Sequence, residues 1–475
     1  MTEPVSPEPT QPTRRGRRMA APGTPGPQPV ALVLAVAVPI VALVAALLVN
    51  GSPAAAPAPV APAEAKLTSL QLTCPAAPTG RIGVATVEDD ADGVVVVRQG
   101  GQHRDVRVVT DRVAWVGEPG PMVVDGRKTI APGLLATRAD DKHAAAVPCH
   151  LPRPDTWFTG AGAASIHSST LQLVNPDAGL AIANVQLLGT QGLLDARRLN
   201  GVSVPGNSVV TIELSAQAPT RSELAIHVSV QRGRLGASLL DSHTERSSSA
   251  DWIPPQFAPA TVNTVVGTAA GPGERTLVVA NPTDNQARVQ VKVIGSTSTY
   301  APQGFSELSV PPQSVVARSL SGVLGTAATK DAVGLLVTSS QPVTASVRSL
   351  VGAELSSAVA VPAITDAGLV LPDGKATLMV AAPDEAGSAQ VAAYDAGGKR
   401  LLDQRIAAKK LTGARFALPK GTALVRISDV NGGLHAAVQV VSGKGVVTLP
   451  LEDAVVSGLI PDVRAAMSGS SGAEQ

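Results

Sequence analysis

The sequence predicts an all-β protein, built of tandem immunoglobulin-like or fibronectin-like β-sandwich modules behind one N-terminal transmembrane helix. Three observations predict it. A short phrase returns about every hundred residues, β-branched runs of strand length alternate with turn residues over most of the chain, and one uncharged apolar run lies near the N-terminus. The phrase reads Leu70-Gln71-Leu72-Thr73-Cys74-Pro75, Leu171-Gln172-Leu173-Val174-Asn175-Pro176, Leu277-Val278-Val279-Ala280-Asn281-Pro282 and, more worn, Leu378-Met379-Val380-Ala381-Ala382-Pro383. The spacings are 101, 106 and 101 residues, the length of one small sandwich domain.

Residues 1–29 are rich in Pro, Thr and Gly, bury no apolar face and are expected to form a disordered cytoplasmic tail. Residues 30–49, Val30 to Val49, carry no charge, no Asn and no Gln. A helix of 20 residues at about 1.5 Å per residue spans roughly 30 Å, the thickness of a bilayer core. Pro39 lies mid-run, which membrane helices tolerate. Arg14, Arg15, Arg17 and Arg18 precede the run, so the N-terminus is expected inside and the bulk of the chain outside the cytoplasmic membrane. A cleaved signal peptide is the competing reading. The apolar run exceeds the usual 7–15 residues of such a peptide, and Pro57 follows the Ala54-Ala55-Ala56 triplet where cleavage would fall. Residues 50–66 are dominated by Pro and Ala and read as an extended spacer.

The remainder divides into module 1 (67–152), module 2 (153–252), module 3 (253–362) and module 4 (363–464), with a flexible tail at 465–475. Segments such as Val289-Gln290-Val291-Lys292-Val293 and Leu424-Val425-Arg426-Ile427 have strand length, and Asn-Pro, Asp-Gly, Pro-Pro and Gly-Gly pairs bound them. Modules 2 and 3 align without a gap at an offset of 106, including Val204-Pro205 against Val310-Pro311. Late in module 3, Leu335 to Thr338 and Val343 to Ser346 read as two strands joined by a turn at Ser340-Gln341-Pro342.

A net charge of +1 with 16% charged residues recruits no nucleic acid. Three Trp, two Tyr and four Phe leave few aromatic faces for sugars or bases to stack on. The two cysteines, Cys74 and Cys149, bracket module 1 in the part expected outside, and an even count there favours a disulfide. A Cys–His metal site with His143 and His150 is the rival, without the C-x₂₋₄-C spacing of structural zinc.

No hydrolase, metalloprotease, P-loop or dinucleotide motif stands in a fitting context, so no catalytic residue, metal ligand or cofactor is assigned. The cluster Glu88-Asp89-Asp90-Ala91-Asp92-Gly93 lacks the frame of a calcium loop and reads as a hairpin turn. His227, inside the run Leu224 to Val230, reads as an outward-facing strand residue. Trp157 and Trp252 each fall at a module boundary, where a large ring can fill a joint or present a contact to a partner.

The apolar segment and Pro/Ala spacer, the Leu-x-Leu-Thr-Cys-Pro start, the Cys149-His150-Leu151-Pro152 to Trp157 junction and the Asp251-Trp252-Ile253-Pro254-Pro255 junction resemble one family. It is an uncharacterised family of secreted, membrane-anchored actinobacterial proteins, carried as a domain of unknown function. The resemblance implies an envelope protein and transfers no catalytic residue. The expected function is therefore a non-enzymatic, membrane-anchored scaffold or adaptor that binds another envelope component. The alternatives are a cell-wall glycan-binding protein and, third, an enzyme with a dispersed site.

Overall fold

Alternation of apolar and polar residues becomes alternation of burial. In Ala287–Ile294 the side chains of Ala287, Val289, Val291 and Val293 are buried while Arg288, Gln290 and Lys292 are exposed, as a half-covered strand requires. The computed structural model describes residues 29–49 and 63–460, apart from 78, 118, 141–142, 245–247, 270–272, 327–328, 352–353 and 444. The expected cytoplasmic tail and the flexible C-terminal tail lie outside the described residues. Two units are present: one whose described part is the helix Pro29–Val49, and one comprising Ala63–Ile460.

The helix has 21 residues with Pro39 inside it. The side chains of this helix are described from Val33 to Ala46, and among the described residues no helix is long and apolar enough to cross a membrane.

The described residues of Ala63–Ile460 are mainly strands, and one topology recurs four times. Module 1 shows it complete: Ser69–Cys74, Gly80–Thr86, Asp92–Gln99, Gln102–Val109, Ala114–Gly117, Met122–Arg127, Leu134–Asp140 and Ala145–Pro148. Numbering these one to eight, one sheet has the order 1-6-3-4 and the other 5-2-7-8. Module 4 repeats both orders from Ala367–Val370 to Gly445–Pro450. Module 2 repeats them with its fourth strand reduced to Gly192–Leu193 and Val202–Val204.

The sandwich architecture stands, but this topology is not the expected immunoglobulin-like or fibronectin-like one. In an immunoglobulin fold the third, sixth and seventh strands share a sheet. Here the seventh strand leaves the sixth and pairs with the second, as Gly236–His243 does with His167–Val174. The pairing is that of an eight-stranded jelly roll whose first strand has moved to the end of the chain. Module 3 shows the reason plainly. The turn expected at Ser340-Gln341-Pro342 is absent, and Gly334–Val351 runs as one strand of 18 residues. Its first half pairs with Ala260–Val266 and its second half with Gly273–Asn281 and Glu354–Val359. Pro342, which has no N–H to donate, sits where the strand passes between sheets and costs no ladder bond.

The repeated phrase also needs realignment. Leu171, Leu277 and Leu378 open the same stretch of the second strand in modules 2, 3 and 4, whereas Leu70 lies in the first strand of module 1. An L-x-L alternation suits any half-buried strand, so the first spacing of 101 residues is not a structural repeat. The Asn of the phrase has a definite task. Asn175 donates through Nδ2 to the carbonyls of Gly179 and Val204 and accepts the Asp177 N–H, tying the turn after strand two to the strand before the edge proline. Asn281 does the same with Asn285, Val310 and Thr283.

The four modules close into a ring. The eighth strands, Ala145–Pro148, Ser249–Ile253, Glu354–Val359 and Gly445–Pro450, lie against one another in succession, and the fourth returns to the first. A clasp reinforces closure: Ala63–Lys66 pairs antiparallel with Ser457–Ile460. The last four residues of the expected spacer are therefore strand, because a partner from the far end of the chain satisfies their backbone.

Cys74 ends the first strand of module 1 and Cys149 follows the eighth. They are joined by a disulfide with a Cα–Cα distance of 4.5 Å and a sequence separation of 75. In the chain-entropy model a loop of that length stabilises by about 4.5 kcal/mol. Reduction, or replacement of both cysteines by Ala, is expected to lower unfolding stability in urea by about 2–5 kcal/mol. An unchanged midpoint with and without reductant would refute this.

Candidate functional site

The polar and aromatic side chains singled out by the sequence converge on the joints of the ring. At the joint of modules 1 and 2, Trp252 is 1% exposed and packs with Ala77, Ala145 and Val147 of module 1. Gly236 of module 2 lies against Thr73, and a Cβ there would meet Thr73 Oγ1 at 1.8 Å, so only glycine permits the approach. Thr73 and His150 exchange both backbone hydrogen bonds, at 2.8 and 3.1 Å. The His150 imidazole is buried, and its Nε2 has no hydrogen-bond partner among the described residues. Burial, assisted by Arg153, pushes its pKa down to about 3.

At the joint of modules 2 and 3, Trp157 packs with Val278, Ala280 and Val315 of module 3 and stacks on His227 at 4.2 Å. His227 in turn donates through Nε2 to Asp155 at 2.9 Å. Beside it lies a buried polar network that sequence reasoning missed. His167 Nδ1 donates to the Ser222 carbonyl at 2.7 Å and Nε2 donates to Asp241 at 3.1 Å. Ser169 Oγ donates to Asp241, and Arg348 of module 3 makes a bidentate pair with Glu223 at 3.0 and 2.6 Å. Ser, His and Asp are the residue types of a catalytic triad, but the connections differ. Ser169 donates to the carboxylate, and both imidazole nitrogens are spent on acceptors, which leaves no base for the hydroxyl. Burial opposes a charge on His167, yet the Asp241 carboxylate outweighs it and the imidazole pKa is raised. The network is an ion cluster, two cations against two anions, that rivets module 3 to module 2. Its members lie far apart in sequence, and only their residue types were visible.

Asp251 stands where three eighth strands meet. It is fully buried, and Oδ2 accepts the Ser357 N–H at 3.1 Å. Burial raises its pKa well above the ordinary carboxylate value, against the effect of backbone donors including those of Ser357, Trp252 and Ala146.

At the joint of modules 4 and 1, Arg426 bridges Asp111 at 3.0 Å and Asp89 at 3.2 Å, and Arg81 pairs with Asp373 while covering the Trp115 ring. This accounts for much of the acidic cluster. Asp89 engages Arg426, Glu88 engages Lys66, and Asp92 holds Arg107 in a two-point pair. Asp90 has a φ of 54° in the tight turn between them. Among the described residues no three His, Cys, Asp or Glu side chains are grouped to hold a metal ion, and His143 instead lies 4.0 Å from Glu354.

A cleft of about 260 Å³ opens where modules 3 and 4 meet, bordered by Phe257, Val262, Asn263, Asp384 and His435. Phe257 belongs to the connection between modules 2 and 3, Asn263 to the first strand of module 3 and His435 to the seventh strand of module 4.

Ring closure, four permuted sandwiches and polar joints define an all-β architecture. Residues 127–419, more than half of the chain, match the model of a family of unknown function, DUF5719, and the chain belongs to that family. The matched region takes in Cys149, Trp157 and Trp252 and stops short of the N-terminal helix and the clasp. No curated protein matches the chain.

Two outcomes follow from the joints. The unfolded chain protonates His150 near pH 6.5 while the folded chain resists until about pH 3. The stability this neutral His permits is complete above about pH 6.5 and falls away as pH drops towards 3. His150→Gln is expected to flatten the pH dependence of the urea midpoint across that interval, and an unaltered slope would refute it. Trp157→Ala removes the ring that seals the second joint and is expected to cost about 3–5 kcal/mol, a typical penalty for emptying such a site. A loss under 1 kcal/mol in denaturant unfolding would show that the joint does not depend on the ring.

Proposed function

We propose that this protein is a membrane-anchored extracytoplasmic scaffold that holds another component of the cell envelope. What supports the anchor is the sequence: Val30 to Val49 is an uncharged run of 20 residues, the length that spans roughly 30 Å as a helix, and the preceding arginines favour an N-terminus inside. The disulfide Cys74–Cys149 suits an oxidising compartment on the other side.

The observation that carries the reading is the closed ring itself. The His167–Asp241–Arg348–Glu223 cluster spends reactive side-chain types on joining modules 2 and 3, which is the economy of a platform. The partner is an envelope protein, and the actinobacterial envelope is the setting the family resemblance suggests.

Crosslinking in intact cells, followed by purification from membranes, tests this. One dominant membrane protein is expected to accompany the chain in stoichiometric yield. Recovery of the chain alone, or turnover of a cell-wall substrate that a point substitution abolishes, would overturn the reading.

A further inference from the structure

We propose that the cleft between modules 3 and 4 binds a neutral carbohydrate, seating one pyranose ring against Phe257. The chain has nine Phe, Trp and Tyr residues, and among them Phe257 alone is exposed, at 44%. An aromatic residue left in solvent by a protein so short of them calls for a reason. It lines the cleft together with Val262, another large apolar side chain left exposed, at 47%. Together they make an apolar wall over a polar floor.

The floor is set to accept hydrogen bonds. Asn263 spends both Nδ2 protons on backbone carbonyls, those of Ala260 at 2.8 Å and Val343 at 3.1 Å, which leaves Oδ1 as its free function. His435 donates Nδ1–H to the Val361 carbonyl at 2.7 Å, which leaves Nε2 as an acceptor. Burial holds its pKa below the ordinary value, against the Val361 and Pro362 carbonyls and Asp384. Asp384, exposed on the rim, adds a carboxylate. An amide oxygen, an imidazole nitrogen and a carboxylate call for a ligand rich in donors. Hydroxyl groups provide them, and the C–H face of a pyranose suits the negative face of an aromatic ring. At about 260 Å³ the opening lies below the roughly 300–1,000 Å³ of drug-sized pockets, a scale for one sugar ring at a time.

An ammonium ligand would also satisfy acceptors, and the structure argues against it. The guanidinium of Arg153 already lies 4.1 Å from the centre of the Phe257 ring, held by Glu452 at 2.6 Å. One face of the aromatic ring is thus committed to a cation, and a second cation on the other face would meet its charge. The same stack fixes the ring in place, so a ligand need not order it. The site exists only where modules 3 and 4 are joined, since its residues come from both. It does not depend on the scaffold reading, and either can fail alone.

The test uses the full-length chain in a detergent without sugar head groups, titrated with methyl pyranosides of glucose, galactose, mannose and N-acetylglucosamine and followed by saturation-transfer NMR. Saturable binding of at least one pyranoside is expected, weakened at least tenfold by Phe257→Ala and retained by Phe257→Tyr. Val262→Trp, which fills the cleft while keeping Phe257, is expected to abolish binding with an unchanged melting temperature. No saturable pyranoside, affinity untouched by Phe257→Ala and by Val262→Trp, or preferential competition by methylammonium would each overturn the proposal.

Discussion

Burial shared between neighbouring modules is the constraint on which the rest of this structure depends. The apolar core of module 2 continues through Val266, Ile294, Val359 and Val361 of module 3 to Met379, Ala381 and Ala437 of module 4. The core of module 4 takes in Ala139 and Ala146 of module 1. A sandwich filled with Val, Leu and Ala buries less area per residue than one filled with aromatic rings, so covering its flanks matters more. Closing the chain into a ring gives every module two covered flanks and no exposed end.

Polar groups inside the joints follow from the same constraint. Where two sheet faces meet without a linking strand, backbone and side-chain groups must find partners across the gap. Gln439 Nε2 and Thr448 Oγ1 of module 4 both donate to the Gly267 carbonyl of module 3, and Gly267 adopts a φ of +92° that an L side chain rarely tolerates. Arg348 and Glu223 meet across the preceding joint. Such contacts specify which faces meet, since a shifted joint would strand a charge away from water.

Much of the secondary structure was legible because it is written locally. Val289-Gln290-Val291-Lys292-Val293 alternates, and Asn175 and Asn281 stand at turns whose bonds need that side chain. The pairing of Cys74 with Cys149 was legible because the chain has no other cysteine. Topology was not legible, because Ser340-Gln341-Pro342 offers turn chemistry yet lies inside a strand that changes sheets, and only tertiary pairing decides between the two. The L-x-L of Leu70 misled for a related reason: alternation marks a strand without saying which one. Candidate-site residues were legible only by type. Phe257 stands two residues past Pro254-Pro255, and its exposure depends on Arg153 and Glu452, distant in sequence.

The clasp has a consequence for how the molecule is made. Ala63–Lys66 emerges early in synthesis, and its partner Ser457–Ile460 arrives nearly four hundred residues later. Until then the face of module 1 that carries Ala85 and Val113 lacks the cover of Val370, Tyr394 and Leu424. Local contacts within each sandwich form quickly, but the seam between first and last modules waits for the whole chain. A chain stalled or cut late in its course therefore keeps nearly every domain and still bares two sticky flanks, one at each end. Quality control of an unfinished molecule has a ready mark to read, since the seam is sealed only when the final strand is delivered.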